Sequence, residues 1–210
     1  NIIRNACHLA EHDTTVRGTM HASTVIGAPE LTARLEVLPF ASAEPKLEAI
    51  DPKTPITVTV SPKQGVDHTL EFSERWAARG LAVVPHITAR MVTSRDHATE
   101  IAARIRAAGF AEVFAIGGDQ SPPLGEFDSA RQLLDVIAPL LAGVRIGVAG
   151  YPEGHPAISD TSLADALAAK SAVASAIVTQ LCFDTDTIVR WIRSIRDRGI
   201  TVFLIEHNVR

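Results

Sequence analysis

From Arg34 onward the sequence repeats one unit: a short apolar or β-branched run, then a stretch of helical period, most often closed by glycine. The runs are Leu35–Pro39, Pro55–Ser61, Leu81–His86, Glu112–Ile116, Val144–Ala149, Ala176–Leu181 and Ile200–Ile205. β-Branched residues favour strands, and an apolar run without alternation, such as Val113 to Ile116, suits a parallel strand covered on both faces. Between the runs, a helix capped by Asp67 reaches Gly80 with Leu70 and Trp76 inward, and Thr93-Ser-Arg-Asp96 reads as a capping box whose helix closes at Gly109. Its inward face is Ala98, Ile101, Ala102 and Ile105. Further helices are predicted over Phe127–Leu141 and Ser162–Lys170, and from a cap at Asp184 or Asp186 to Gly199.

Strands that alternate with helices through short connections leave two architectures, an open doubly wound sheet and a (β/α)8 TIM barrel. A dinucleotide-binding sheet calls for G-x-G-x-x-G after its first strand, and the sequence has none. Glu36, His86 and Gln180 interrupt otherwise apolar strands, which a barrel lumen or rim can accommodate. The expected fold is therefore a single-domain (β/α)8 barrel over residues 34–210, preceded by a segment, 1–33, of unassigned structure. Within that segment Met20–Ile26 reads as a short strand or a loop and Pro29–Arg34 as a helical turn. Seven strands are read, so the eighth must come from elsewhere or from a longer chain; 210 residues fall short of the roughly 250 typical of the fold.

Composition narrows the function. A net charge of -4 gives no attraction to nucleic acid. No apolar run is long enough to span a membrane, and no leader pattern opens the sequence, so a cytoplasmic enzyme is the expectation. Cys7 and Cys182 have no metal-ligand spacing and read as buried thiols; no metal site is expected. Apolar residues on the outer helices leave room for a homo-oligomer.

The chemistry is expected where the strands end, since loops there build the sites of α/β folds. The clearest such exit is Ile116-Gly-Gly-Asp119: two glycines permit close approach of a ligand or another backbone, and Asp119 follows them. Pro122 and Pro123 then stop the strand. In the same frame the rim gathers Glu36, Ser61, His86, Asp119, Tyr151 with His155, and Gln180.

Five segments occur in the order and spacing of one family: Leu35-Glu-Val-Leu-Pro39, Val84-Pro-His-Ile-Thr88, Ile116-Gly-Gly-Asp119, Val148-Ala-Gly-Tyr-Pro-Glu-Gly-His-Pro156 and Thr179-Gln-Leu-Cys-Phe-Asp184. Over about residues 34–199 the chain resembles the methylenetetrahydrofolate reductase family. The resemblance implies a (β/α)8 barrel that interconverts 5,10-methylenetetrahydrofolate and 5-methyltetrahydrofolate. Hydride passes from or to NADH or NADPH, in most members by way of FAD at the carboxyl-terminal mouth. It further implies Glu36 as general acid: opening the imidazolidine ring requires a proton on the leaving nitrogen, and burial disfavours the charged form of a carboxyl. Asp119 is implied near the flavin and pterin, where it stabilises developing positive charge, and Gln180 as a folate contact. Cofactor-side positions are Ser61, His86, Gly117, Gly118, Tyr151, His155 and Lys170.

Two departures bear on the cofactor. Gly117 stands where the family motif has arginine, removing a bidentate cation from any diphosphate, and the interval from Lys170 to Gln180 is one residue shorter than in the familiar members. Both resemble a shorter branch, in which some members work without flavin; FAD is thus left open. The tail from Gly199 lacks the expected proline-containing strand, and Glu206 and His207 receive no role. The alternative reading is a folate-binding barrel that performs no hydride transfer, either a lyase or transferase or a non-catalytic partner.

Overall fold

A computed structural model of the chain describes residues 34–200 together with two short strands, β1 (Ala6–Cys7) and β8 (Ile205–Asn208). The expectations for Met20–Ile26 and Pro29–Ala33 lie outside the described residues, as do residues 201–204 of the last predicted strand. Between them run β2 (Leu35–Val37), α1 (Glu44–Glu48), β3 (Ile56–Val58), α2 (Gly65–Ala78), β4 (Val83–Thr88), α3 (Arg95–Ala107) and β5 (Glu112–Ile116). Then follow α4 (Ala130–Ile137), β6 (Arg145–Gly150), α5 (Asp160–Lys170), β7 (Ala176–Gln180) and α6 (Thr185–Asp197).

Strands β2 to β8 lie side by side in chain order and every neighbouring pair is parallel, while β1 adds antiparallel to the outer edge of β8. Because the order never reverses, right-handed crossovers place successive helices on the same face. The two faces are legible in the packing. Ile56, Val58, Val83, Ile87, Val113, Ala115, Ile146, Val148 and Ile177 join the helix residues in one large core. The residues between them, Val84, Phe114 and Val178, form a separate small cluster with Ile116 and Ala149. Alternation along each strand therefore divides a helix-covered outer face from an inner one.

That inner face is concave. Arg34, just before β2, bonds through both terminal nitrogens to the Glu112 carboxylate at the start of β5, at 2.8 and 3.3 Å. In a flat sheet these strands would stand three spacings apart, about 14 Å. Only a curled sheet lets both side chains point inward and meet. Arg145, opening β6, bonds the second Glu112 oxygen, so the amino-terminal end of the concave face is closed by ion pairs.

The expected barrel is met as far as this curled α/β sheet; among the described residues β1 and β2 are its two edges and are not paired to one another. The place beside β8 that a barrel gives to a parallel strand holds the antiparallel β1 instead. Several boundaries also differ from expectation. The Ser61 carbonyl accepts from Gln64 and Gly65 N–H, so α2 starts before Asp67, which sits in the first turn where a carboxylate favours the helix dipole. Ser94, Ser129, Ser159 and Asp184 are the side chains that cap α3, α4, α5 and α6. The short helix α1 was not predicted: Pro45 at its start and a single buried residue, Leu47, give no helical stripe to read.

Candidate active site at the carboxyl ends of the strands

Parallel pairing brings every exit from β2 to β8 to one rim. Glu36 lies half-buried in mid-β2, in register with Thr57 of β3, on the concave face. His86 shares that face; it is buried, in register with Phe114, and its ring meets the Phe114 ring edge-on at 4.7 Å. Ser61 is buried beyond the end of β3. Gln180 ends β7 exposed, paired with Asn208.

The β5 exit has the most constrained geometry. Gly118 has φ +87°, and a Cβ there would come within 2.0 Å of the Thr88 methyl, so only glycine fits against the end of β4. The close approach is to a side chain of the neighbouring strand, whereas Gly117 faces open space. Asp119 follows, exposed, and among the described residues its carboxylate has no hydrogen bond or ion pair. The turn continues through a cis Ser121–Pro122 bond.

After β6, Tyr151 and His155 pack edge-to-face at 5.5 Å, and the His155 Nδ1 accepts from the Ala157 N–H. Lys170 stands apart from the strand ends, as the last residue of α5. It is buried, burial pushes its ammonium pKa below the ordinary lysine value, and among the described residues no carboxylate pairs with it. After β7, burial pushes the Cys182 thiol up, and its S–H donates to the Asp184 carbonyl. The Asp184 carboxyl is held below the usual carboxylate range, chiefly by the Thr187 hydroxyl, with the Thr187 and Asp186 N–H groups assisting. Among the described residues no cluster of histidine, cysteine or carboxylate side chains suits a metal, and no helix is long and apolar enough to cross a membrane.

Several residues escaped the sequence reading. Leu38 and Phe40 after β2, Leu124 after β5 and Phe183 after β7 are exposed apolar side chains in the strand-exit loops, with Phe183 at 85%. Phe183 lay within a motif quoted for its glutamine and aspartate, and its exposure has no signature in sequence. Arg90, following β4, has none either. Its side chain reaches the β5 exit only because the strands are adjacent, with Nε 2.7 Å from the Gln120 carbonyl oxygen.

A curled parallel sheet with helices outside defines an α/β protein whose strand exits share one rim, the place where such folds bind their ligands. A family model described as methylenetetrahydrofolate reductase matches residues 34–207. The chain belongs to the methylenetetrahydrofolate reductase family. It is 30% identical over 182 residues to the 5,10-methylenetetrahydrofolate reductase of Salmonella typhimurium, covering 84% of this chain and 60% of that protein. To a probable methylenetetrahydrofolate reductase (NADPH) of Caenorhabditis elegans it is 30% identical over 131 residues, 58% of this chain and 19% of that protein. The matched region thus spans under two thirds of either relative.

Proposed function

We propose that this chain interconverts 5,10-methylenetetrahydrofolate and 5-methyltetrahydrofolate at the carboxyl rim, as a cytoplasmic oxidoreductase using NADH or NADPH. The observation that carries the reading is Glu36, a carboxyl on the concave face that the helices leave uncovered. An acid there can protonate the leaving nitrogen as the imidazolidine ring opens. Asp119, exposed at the mouth, is suited to accept from the amino edge of a pterin and to favour the cationic species formed on ring opening. Gln180 offers amide and carbonyl groups at the same rim. Exposed Phe40, Leu124 and Phe183 give planar rings an apolar border.

A bound nicotinamide supplies or accepts the hydride, with or without FAD as relay. Lys170, although it stands apart from the strand ends, is a buried cation with no carboxylate partner among the described residues, and an anion beside it would relieve the cost of its burial. Ser61, His86, Tyr151 and His155 add polar and ring surfaces, while Gly117 and Gly118 leave backbone accessible at the turn. Residues 34–210 are read as one catalytic barrel.

The test is the absorbance spectrum of the purified protein, followed by addition of NADH or NADPH and methylenetetrahydrofolate. Flavin bands that bleach with the reduced nicotinamide and return with the folate establish the relay. A colourless protein that consumes NADH or NADPH only with the folate establishes direct transfer. Folate binding without nicotinamide oxidation refutes the oxidoreductase reading in favour of a folate-binding barrel.

A further inference from the structure

Asp119 is exposed and its carboxylate has no side-chain or backbone partner among the described residues. What fixes it in space must therefore act on the residues either side. Three restraints do so. The methyl of Thr88 abuts Gly118. The Arg90 N–H donates to the Gly117 carbonyl at 3.0 Å, extending the β4–β5 ladder one step past the strand ends. On the other side, the Arg90 Nε donates to the Gln120 carbonyl at 2.7 Å.

The same side chain then spans the rest of the loop. Its Nη1 donates to the Asp128 carbonyl at 3.2 Å and lies 3.9 Å from an Asp128 carboxylate oxygen. The Arg90 carbonyl accepts from the Leu124 N–H at 2.9 Å. One residue thus brackets Asp119 on both sides and ties the exit loop at two further points. Two of these four ties, to Gly117 and Leu124, are made by the Arg90 backbone; the guanidinium supplies the other two, because its planar fork of donors reaches the Gln120 and Asp128 carbonyls together, which a lysine ammonium cannot do. Resting on the oxidoreductase reading above, we propose that Arg90 is the positioning residue of the site: it holds the Gly117–Gln120 turn so that the Asp119 carboxylate stands at the substrate mouth.

The proposal is tested in the full chain with Arg90→Ala, Arg90→Lys and Asp119→Asn, singly and combined. Folate-dependent oxidation of NADH or NADPH gives one readout and amide hydrogen exchange across residues 117–128 the other. Arg90→Ala is expected to lower kcat about 10- to 100-fold, the range for a misplaced catalytic group, with KM for the nicotinamide unchanged. Arg90→Lys should recover part of that loss. In the Asp119→Asn background Arg90→Ala should cost less than about 2-fold, because residues acting as one unit are not additive. An equal loss in both backgrounds would overturn the proposal. The Leu124 amide keeps its Arg90 carbonyl acceptor in Arg90→Ala, so its exchange should accelerate, at least tenfold, only through loosening of the loop once the Gln120 and Asp128 contacts are lost, and unchanged protection would also overturn the proposal. If the wild-type chain turns over no folate, the oxidoreductase reading fails. The exchange result then decides on its own whether Arg90 anchors the turn.

Discussion

Replacing Glu112 by alanine tests what holds the sheet curled. Glu112 and Arg34 are 2% and 7% exposed, and they bond through two parallel contacts between strands that are not neighbours. Deleting the carboxylate leaves the Arg34 guanidinium at the closed end of the concave face without its bidentate partner. Removing one member of a buried ion pair costs roughly 3–5 kcal/mol. For a chain of this size each kcal/mol shifts Tm by about 2–4 °C, so Glu112→Ala should melt about 10 °C lower. Arg145 meets the same carboxylate, but its side chain is 62% exposed, and Arg145→Ala should cost no more than about 1 kcal/mol. The decisive variant is Arg34→Met with Glu112→Leu, which removes both charges and retains apolar volume. It should recover to within about 1 kcal/mol of the parent. Urea unfolding of the four proteins, read by circular dichroism, measures all of this. If Glu112→Ala costs less than about 1 kcal/mol, the Arg34–Glu112 pair does not restrain the curl; a double variant as unstable as the single one would mean that the pair itself supplies the stability and apolar residues cannot replace it.

Other expectations concern the rim and the helices. Glu36→Gln should reduce folate-dependent turnover by about 10²- to 10⁴-fold while retaining folate affinity in calorimetry; undiminished turnover would remove Glu36 from proton transfer. Gly118→Ala should destabilise the β5 exit through its clash with the Thr88 methyl, and Thr88→Ser, which removes that methyl, should restore part of the melting temperature. Lys170→Met should stabilise the ligand-free protein by on the order of 1 kcal/mol at pH 7. The lysine's folded pKa lies below its unfolded value, so the unfolded chain binds more protons in the window between them and the parent gains stability as pH rises through it. Melting curves from pH 7 to 10 should show this rise in the parent and its loss in Lys170→Met, and dinucleotide binding should weaken in the variant. Ser94→Ala should cost about 1 kcal/mol, because its hydroxyl accepts from the His97 N–H at the start of α3.

The repeating strand–helix pattern was legible because each helix buries one apolar stripe: Ala98, Ile101, Ala102 and Ile105 are all fully buried, as their spacing required. The strand exits followed from glycine and proline, and so Gly117, Gly118 and Asp119 could be found without coordinates. What could not be read depends on contacts between distant residues. Arg34 and Glu112 are 78 positions apart, and neither has a local pattern that names the other. Arg90 looks like any surface arginine until β4 and β5 are laid side by side. Asp67 was misread for a related reason: a carboxylate suits both the cap and the first turn, and only the Ser61 carbonyl bonds decide between them. The burial of Lys170 was hidden because it ends a helix with no strong apolar stripe, where lysine ordinarily faces water.

The strictly sequential strand order also governs how the chain can assemble. Parallel partners such as Leu35 and Ile56, His86 and Phe114, or Glu112 and Arg145 are 21 to 33 residues apart, so each strand can add to a growing edge as soon as its own helix is made. The exception is β1, whose Ala6 pairs with Glu206 across 200 positions. Closing a loop of that length costs about 1.6 kcal/mol more entropy than closing one of thirty residues. Pairing that long waits for the edge it joins. During synthesis the sheet would therefore grow from β2 towards β8 with its last edge bare, and β1, made before any of them, would dock after all of them.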